Sequence, residues 1–396
     1  MSADVVEQGC KILDRLSIEL PSWGFADTGT RFGKFFQPGA ARTIEQKLQD
    51  AAEVHRLTGC CPTVAVHVAW DFPGGPEAAP EVARLAENLG VRIGSINPTL
   101  FEDQDYKYGS LAHPDPAVRR KALDHVAESV EILHAVGSRD LVVWLADGSN
   151  YPGAAHIRRR KRHLEASLGE IHQLLRDGDR LLVEYKPFEP AFYHTDIADW
   201  GMALLLARSA GPQARVLVDT GHHYHGQNIE QIVAWLLDEE MLGGFHFNDR
   251  KYADDDLTAG SIDPYQLFRI LVEIRLWSFD EKAEPPLGFM VDQSHNIKPK
   301  MEAMIQTVCR IQELYLKASL VDFPRLQEAQ ATNAVIDAEE CLREAFFRDV
   351  TSVVREWRRR RGLPEDPLAA YRESGYAEKI ARERGISRPS GGYTGS

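Results

Sequence analysis

The chain has 396 residues, of which 43% are hydrophobic and 27% charged, and its formal net charge is −13. That balance excludes a largely disordered chain and leaves room for one large domain with extensions, or for two domains. A surface this acidic repels phosphate backbones, so no nucleic-acid partner is expected.

In chain order, residues 1–23 carry no basic start followed by an apolar run, and no stretch approaches eighteen apolar residues. The expectation is a cytoplasmic protein without a membrane partner. A weak strand is predicted at "WGFAD", 23–27. Seven stronger apolar runs follow: "TVAVHVAW" 63–70, "VRIGSINPTL" 91–100, "DLVVWLAD" 140–147, "RLLVEYKP" 180–187, "RVLVDTGH" 215–222, "LGGFHFND" 242–249 and "LGFMVDQS" 287–294. They are continuous rather than alternating, as strands covered on both faces are. Between them lie amphipathic segments such as 116–137 and 229–242, with apolar residues at three- and four-residue spacing. Eight strand–helix units predict a closed α/β (β/α)8 TIM barrel over 1–296. No glycine-rich GxGxxG follows an early strand, which argues against a dinucleotide fold. From 297 to 396 only helical patterns appear, ending in the polar "SRPSGGYTGS", expected to be a mobile tail. This part reads as a helical extension with oligomer contacts. The basic clusters at 158–162 and 358–361 read as solvated faces or oligomer contacts. Five cysteines without CxxC spacing argue against a disulfide framework or a thiolate zinc site.

In a closed barrel, functional side chains stand at the carboxyl ends of the strands. Polar residues there are His67 with Trp70 and Asp71, Asn97, Trp144 with Asp147, Glu184 with Lys186, Asp219 with His222, His246 with Asp254 and Asp256, and Asp292 with Ser294 and His295. Singly, His67 or His246 reads as a hydrogen-bonded core histidine, 254–256 as a solvated acidic turn, and Glu184 as the partner of Lys186. Jointly they read otherwise. Four consecutive, otherwise apolar strands end in Glu184, in Asp219 with His222, in His246 and in Asp292. Converging carboxylates resist desolvation and need a cation or a proton. Glu184, Asp219, Asp254, Asp256 and Asp292 carry −5; two divalent ions leave −1, and one leaves −3. Carboxylate and imidazole donors suit Mn²⁺, Co²⁺ or Mg²⁺.

The motifs "EYKP", "VDTGHH", "GGFHFND", "YADDDL" and "DQSHN" resemble those of the L-rhamnose isomerase family, among the xylose-isomerase-like barrels. The resemblance runs from the 28–39 loop to the terminal helices. It implies a homotetramer, two divalent ions per subunit with Mn²⁺ first, and interconversion of a free aldose and its ketose. By that resemblance Glu184, Asp219, His246 and Asp292 hold one ion. His222, Asp254 and Asp256, with Asp219 bridging, hold the second. Lys186 meets the sugar's O1, His67 assists ring opening, and Asp292 is the carboxylate a proton-transfer route would use. Trp144 packs on the sugar, with Asp71 and Ser294 beside it. Phe32, Phe35 and Phe36 cap a neighbouring subunit's pocket. Xylose isomerases carry a carboxylate where this chain has His246, and space their His–Asp pair by three where His67 and Asp71 differ by four. The competing readings are a ketose 3-epimerase, a metal-dependent endonuclease and a non-catalytic sugar- or metal-binding protein.

Overall fold

A computed structural model describes residues 3–30, 33–189 and 193–387. Its centre is a closed barrel of eight parallel strands: β1 (Glu19–Pro21), β2 (Thr63–His67), β3 (Arg92–Asn97), β4 (Asp140–Val143), β5 (Arg180–Glu184), β6 (Ala214–Asp219), β7 (Leu242–Phe247) and β8 (Gly288–Val291). Each strand pairs with its sequence neighbours, and β1 pairs with both β2 and β8 to close the ring. The continuous apolar runs have their explanation here. Every residue of β7, for example, is buried, one face against helices and the other in the lumen.

The helices are α1 (Ala3–Leu13), α2 (Ile44–Thr58), α3 (Ala79–Asn88), α4 (Pro116–Ala135), α5 (Ile157–His172), α6 (Trp200–Ala210), α7 (Ile229–Asp238), α8 (Pro264–Glu281), α9 (Lys300–Ser319), α10 (Phe323–Ala331), α11 (Val335–Phe347), α12 (Thr351–Arg360), α13 (Pro367–Glu373) and α14 (Tyr376–Arg384). Side-chain caps start several of them: Thr43 accepts from the Gln46 amide, Asp115 from Ala117 and Asp199 from Met202. α9 packs against α8 and α2, so the eighth strand–helix unit runs on past residue 296. The remaining helices wrap the same chain: α12 lies on α1, and α13 on α9 and α2. Among the described residues no helix is long and apolar enough to cross a membrane.

Three expectations are corrected. The first barrel strand is Glu19–Pro21, and the predicted "WGFAD" strand is instead a 3-10 turn over Ser22–Phe25. Gly24 permits that turn, because an added Cβ would stand 3.0 Å from the Gln293 carbonyl and 2.7 Å from Met304. The long helical pattern after 335 is broken at Arg348, which is extended, and Asp349 then accepts from the Thr351 amide to start α12. The 358–361 cluster is a solvated face only in part: Arg359, Arg360 and Arg361 are exposed, and Arg358 is not. Arg358 is buried on Gln312, Arg360 pairs with Glu7 at 2.7 Å, and Arg361 pairs with Asp14, which ties α12 to α1. All but the first residue of the expected mobile tail lies outside the described residues.

Inside the barrel, Val142, Leu182, Leu217 and Met290 form a small cluster separate from the outer core. They plug the lumen. Two residues on from each, on the same side of its chain, come Trp144, Glu184, Asp219 and Asp292. The plug is therefore the floor on which the site stands.

Candidate metal centre

Register brings the first four donors together. Asp219 and His246 are Cα partners across β6 and β7, so their side chains stand at one level. His246 Nδ1 lies 3.3 Å from Glu184 Oε2, 3.4 Å from Asp292 Oδ2 and 4.0 Å from Asp219 Oδ2. One donor atom from each of Glu184, Asp219, His246 and Asp292 falls within 4.8 Å of the others. Neighbours hold these carboxylates in place. The Trp23 indole donates to Asp292 Oδ1 at 2.7 Å. The Gly221 amide donates to Asp219 Oδ1 at 2.6 Å, and Asn248 Nδ2 reaches both Asp219 oxygens at 3.0 Å.

The second expected set is drawn in beside the first. The Tyr185 carbonyl takes the His222 Nδ1 proton at 3.0 Å. That leaves Nε2 2.9 Å from Asp254 Oδ1 and 4.0 Å from Asp219 Oδ2. The run 254–256 divides its labour. Asp255 accepts from the amides of Lys251, Tyr252 and Ala253, at 2.7, 2.8 and 3.1 Å, and so shapes the loop. Asp254 and Asp256 line the pocket, both at positive φ, 51° and 47°, a conformation that aspartate tolerates better than most residues. Lys186 does not pair with Glu184. Its ammonium bonds Asp254 and, at 2.8 Å, Glu189, and lies 5.1 Å from the Trp144 ring centre.

The electrostatics express a shortage of positive charge. Burial alone would lower the His246 imidazole, but Glu184, Asp292 and Asp219 lift it to about 10. Burial would likewise lower His222, and Asp219 and Asp254 lift it to about 9. Burial raises Asp219 to about 7 and pushes Asp256 well above the carboxylate range. Both nitrogens of His246 are buried without a hydrogen-bond partner. A buried imidazole with orphaned nitrogens among carboxylates fits a divalent cation, which supplies the charge in place of the ring's second proton and takes the one lone pair of the neutral ring.

The donors open into a pocket of about 230 Å³ walled by the rings of Trp23, His67, Trp70, Phe101 and Trp144, with Asn97, Lys186 and Ser294 among its polar groups. The His67 ring centre is 4.8 Å from that of Trp23, 4.2 Å from Trp70 and 5.7 Å from Phe101. Its ordinary pKa would suit proton transfer near neutrality. Burial, aided by Lys47 and His246, pushes it to about 3, so the ring is a neutral imidazole with Nδ1 free of partners. Ser294 lies 3.1 Å from the Thr28 hydroxyl at the rim.

Asp71 does not reach the pocket. It is fully buried, and Lys47, Ser22 and the His67 amide engage its carboxylate. A lysine 24 residues away turns it inward, which local spacing cannot reveal. Phe32 lies outside the described residues; Phe35 is 56% exposed. Sequence reasoning missed Trp23, Phe101, Asn248 and Glu189. Glu189 had a signal, an acid three residues after Lys186 in "KPFEP". Asn248 had a weaker one, directly after "HF" at the strand's end.

The sequence pattern described as xylose isomerase-like TIM barrel matches residues 61–279, more than half of the chain. A probable sugar isomerase of Rhizobium meliloti is 40% identical over 384 residues, covering 95% of this chain and 88% of its own. A probable sugar isomerase of Mesorhizobium japonicum is 39% identical over 392 residues, covering 96% and 89%. Among solved structures, a D-psicose 3-epimerase aligns with a TM-score of 0.53 at 11% identity, over 82% of this chain and all of its own; that likeness is one of fold. The barrel, the family match and the near full-length relatives agree: the chain belongs to the xylose isomerase-like TIM barrel family.

Proposed function

We propose that the protein is a metal-dependent isomerase of free sugars, converting L-rhamnose to L-rhamnulose and accepting related aldoses such as D-allose and L-mannose. One observation carries this reading. The quartet of Glu184, Asp219, His246 and Asp292 adjoins His222, Asp254 and Asp256 in a ring-walled pocket that also holds Lys186. The fit of this donor set supports two divalent ions, Mn²⁺ first, with Co²⁺ or Mg²⁺ in its place. The quartet would hold one; His222, Asp254 and Asp256, sharing Asp219, would hold the other. When bound, such ions supply Lewis-acid polarisation of a carbonyl and favour ionisation of a neighbouring hydroxyl.

The side chains supply the rest. Lys186 is kept protonated: burial opposes its charge, but Asp254 and Glu189 outweigh that and raise its pKa. It offers a fixed positive donor to the sugar's O1, where charge accumulates. His67, held neutral by burial and standing in the pocket wall, hydrogen-bonds the ring hydroxyl as the sugar opens. Trp23, Trp70, Phe101 and Trp144 exclude water from the opened chain. With the ions in place, an ionised O2 and an electron-poor C1 would let a hydride pass from C2 to C1, the proton lost from O2 ending on O1. A proton-transfer route would need a free carboxylate base, and Asp292 is held by Trp23 and faces His246.

In this reading the enzyme is a cytoplasmic homotetramer, checked by light scattering. The decisive assay is a panel of free aldoses with EDTA-stripped protein and re-added metals. Rhamnulose from rhamnose supports the proposal. Conversion of fructose to its C3 epimer, with no aldose turned over, supports the epimerase instead. Substantial deuterium at C1 of the ketose formed in D₂O, or at C2 of an aldose formed from ketose, would reject the hydride route.

A further inference from the structure

Asp71 stands outside the pocket, yet it is the anchor of the pocket's walls. Oδ1 meets Lys47 Nζ at 2.5 Å. Oδ2 accepts the Ser22 hydroxyl at 2.5 Å and the His67 amide at 3.1 Å. Lys47 comes from α2 and is 4% exposed; Asp71 is 0% exposed. The carboxylate therefore ties the end of β1 to the end of β2. Each tie is one step from a pocket ring. Ser22 precedes Trp23, and His67 begins the turn Val68–Asp71 that carries Trp70. Three walls, Trp23, His67 and Trp70, hang from one carboxylate whose charge Lys47 balances. Their rings stand edge to face at 4.8 Å and tilted at 4.2 Å.

A buried ion pair is poor value as a stabiliser, because apolar residues of similar volume often serve the fold as well. A fixed carboxylate does supply direction. It accepts along set lines, and here those lines run to the two strand ends that face the substrate. We propose that the Lys47–Asp71 pair is a positioning device, which sets where Trp23, His67 and Trp70 stand around the sugar without touching it. Its effect on turnover rests on the isomerase reading; its effect on ring placement does not.

Two double variants separate positioning from mere stability. K47M/D71L removes both charges and every acceptor for Ser22 and His67. K47M/D71N removes the ion pair but keeps an oxygen for both. Thermal midpoints should fall in both, further in K47M/D71L, which also leaves the Ser22 hydroxyl and the His67 amide without an acceptor, so turnover is compared well below both midpoints. K47M/D71L should lose about tenfold or more in kcat/KM on the best aldose, while K47M/D71N stays within about threefold of the parent. Equal kcat/KM in the two variants would overturn the proposal. Crystal structures give a readout independent of turnover: in K47M/D71L the His67 ring should leave its places beside Trp23 and Trp70, and unchanged ring separations would count against positioning. If the parent protein converts no aldose, the isomerase reading fails and the ring comparison alone decides. Should K47M/D71L not fold, Ser22→Ala keeps both charges and tests one tie: Trp23 should shift relative to His67, and an unmoved ring would overturn that tie.

Discussion

The two ends of the barrel both gather acids that are at least partly buried, and they treat them in opposite ways. At the amino end a cavity of about 460 Å³ opens beside Glu19, Asp140 and Arg180. Arg180 grips both oxygens of Asp140, at 2.7 and 2.6 Å. Glu19 accepts from the Ser95 amide at 3.0 Å and from its hydroxyl, lying over Gly94, where an added Cβ would stand 1.6 Å from a carboxylate oxygen. No buried side-chain atom of Glu19, Ser95, Asp140 or Arg180 lacks a partner. At the carboxyl end, both nitrogens of His246, Nδ1 of His67 and Nε1 of Trp144 are buried and unpartnered. The larger cavity is thus chemically closed and the smaller one chemically open. Satisfied acids hold a fold together; acids beside orphaned imidazoles wait for something else.

That contrast can be broken by substitution. The largest effect is expected from Asp254→Asn, which should cut turnover about a thousandfold, ~4 kcal/mol of barrier, while far-UV circular dichroism stays unchanged. An active D254N would remove the second ion from the account. Next comes metal withdrawal. With Mn²⁺ at about a hundred times its Kd, binding adds about 2.7 kcal/mol of stability, so EDTA should lower Tm and re-added Mn²⁺ should restore it. A Tm indifferent to both would contradict a built cation site. Trp23→Phe removes one donor from Asp292 and should weaken Mn²⁺ binding about tenfold in calorimetric titration, with an unaltered affinity assigning Trp23 to the wall alone.

The smallest effect belongs to the amino end and should reverse sign. Burial raises the Glu19 pKa, with Ser95 only partly offsetting it. The folded state then favours the proton. The stability tied to it is full below the unfolded value of about 4.3 and is lost as pH rises through the folded pKa. Glutamine keeps the acceptor without the charge. Glu19→Gln should therefore be slightly more stable than the parent at pH 7, by thermal melts, with the gain vanishing near pH 4 and turnover unchanged throughout. A loss of turnover would mean that the two ends are not independent.

Much of this was legible because barrel strands write themselves as apolar runs, and because a polar residue at the end of such a run is conspicuous. Glu184, Asp219, His246 and Asp292 could be read for that reason, and they meet. The first strand could not be, since β1 has three residues and ends in a proline. Asp71 was misplaced because what decides its direction is Lys47, on another element. Trp23 was seen only as part of a strand, and its bond to Asp292 spans 269 positions. The depressed pKa of His67 was hidden for the same reason: burial and Lys47 belong to the assembled fold.

The most direct measurement is a stoichiometric titration of EDTA-stripped protein with Mn²⁺, following bound metal and aldose turnover together. The account predicts two ions per chain, the first without turnover and full turnover with the second. Conversion of the sugar at full rate by the stripped protein, or a protein that binds no Mn²⁺ at all, would contradict it.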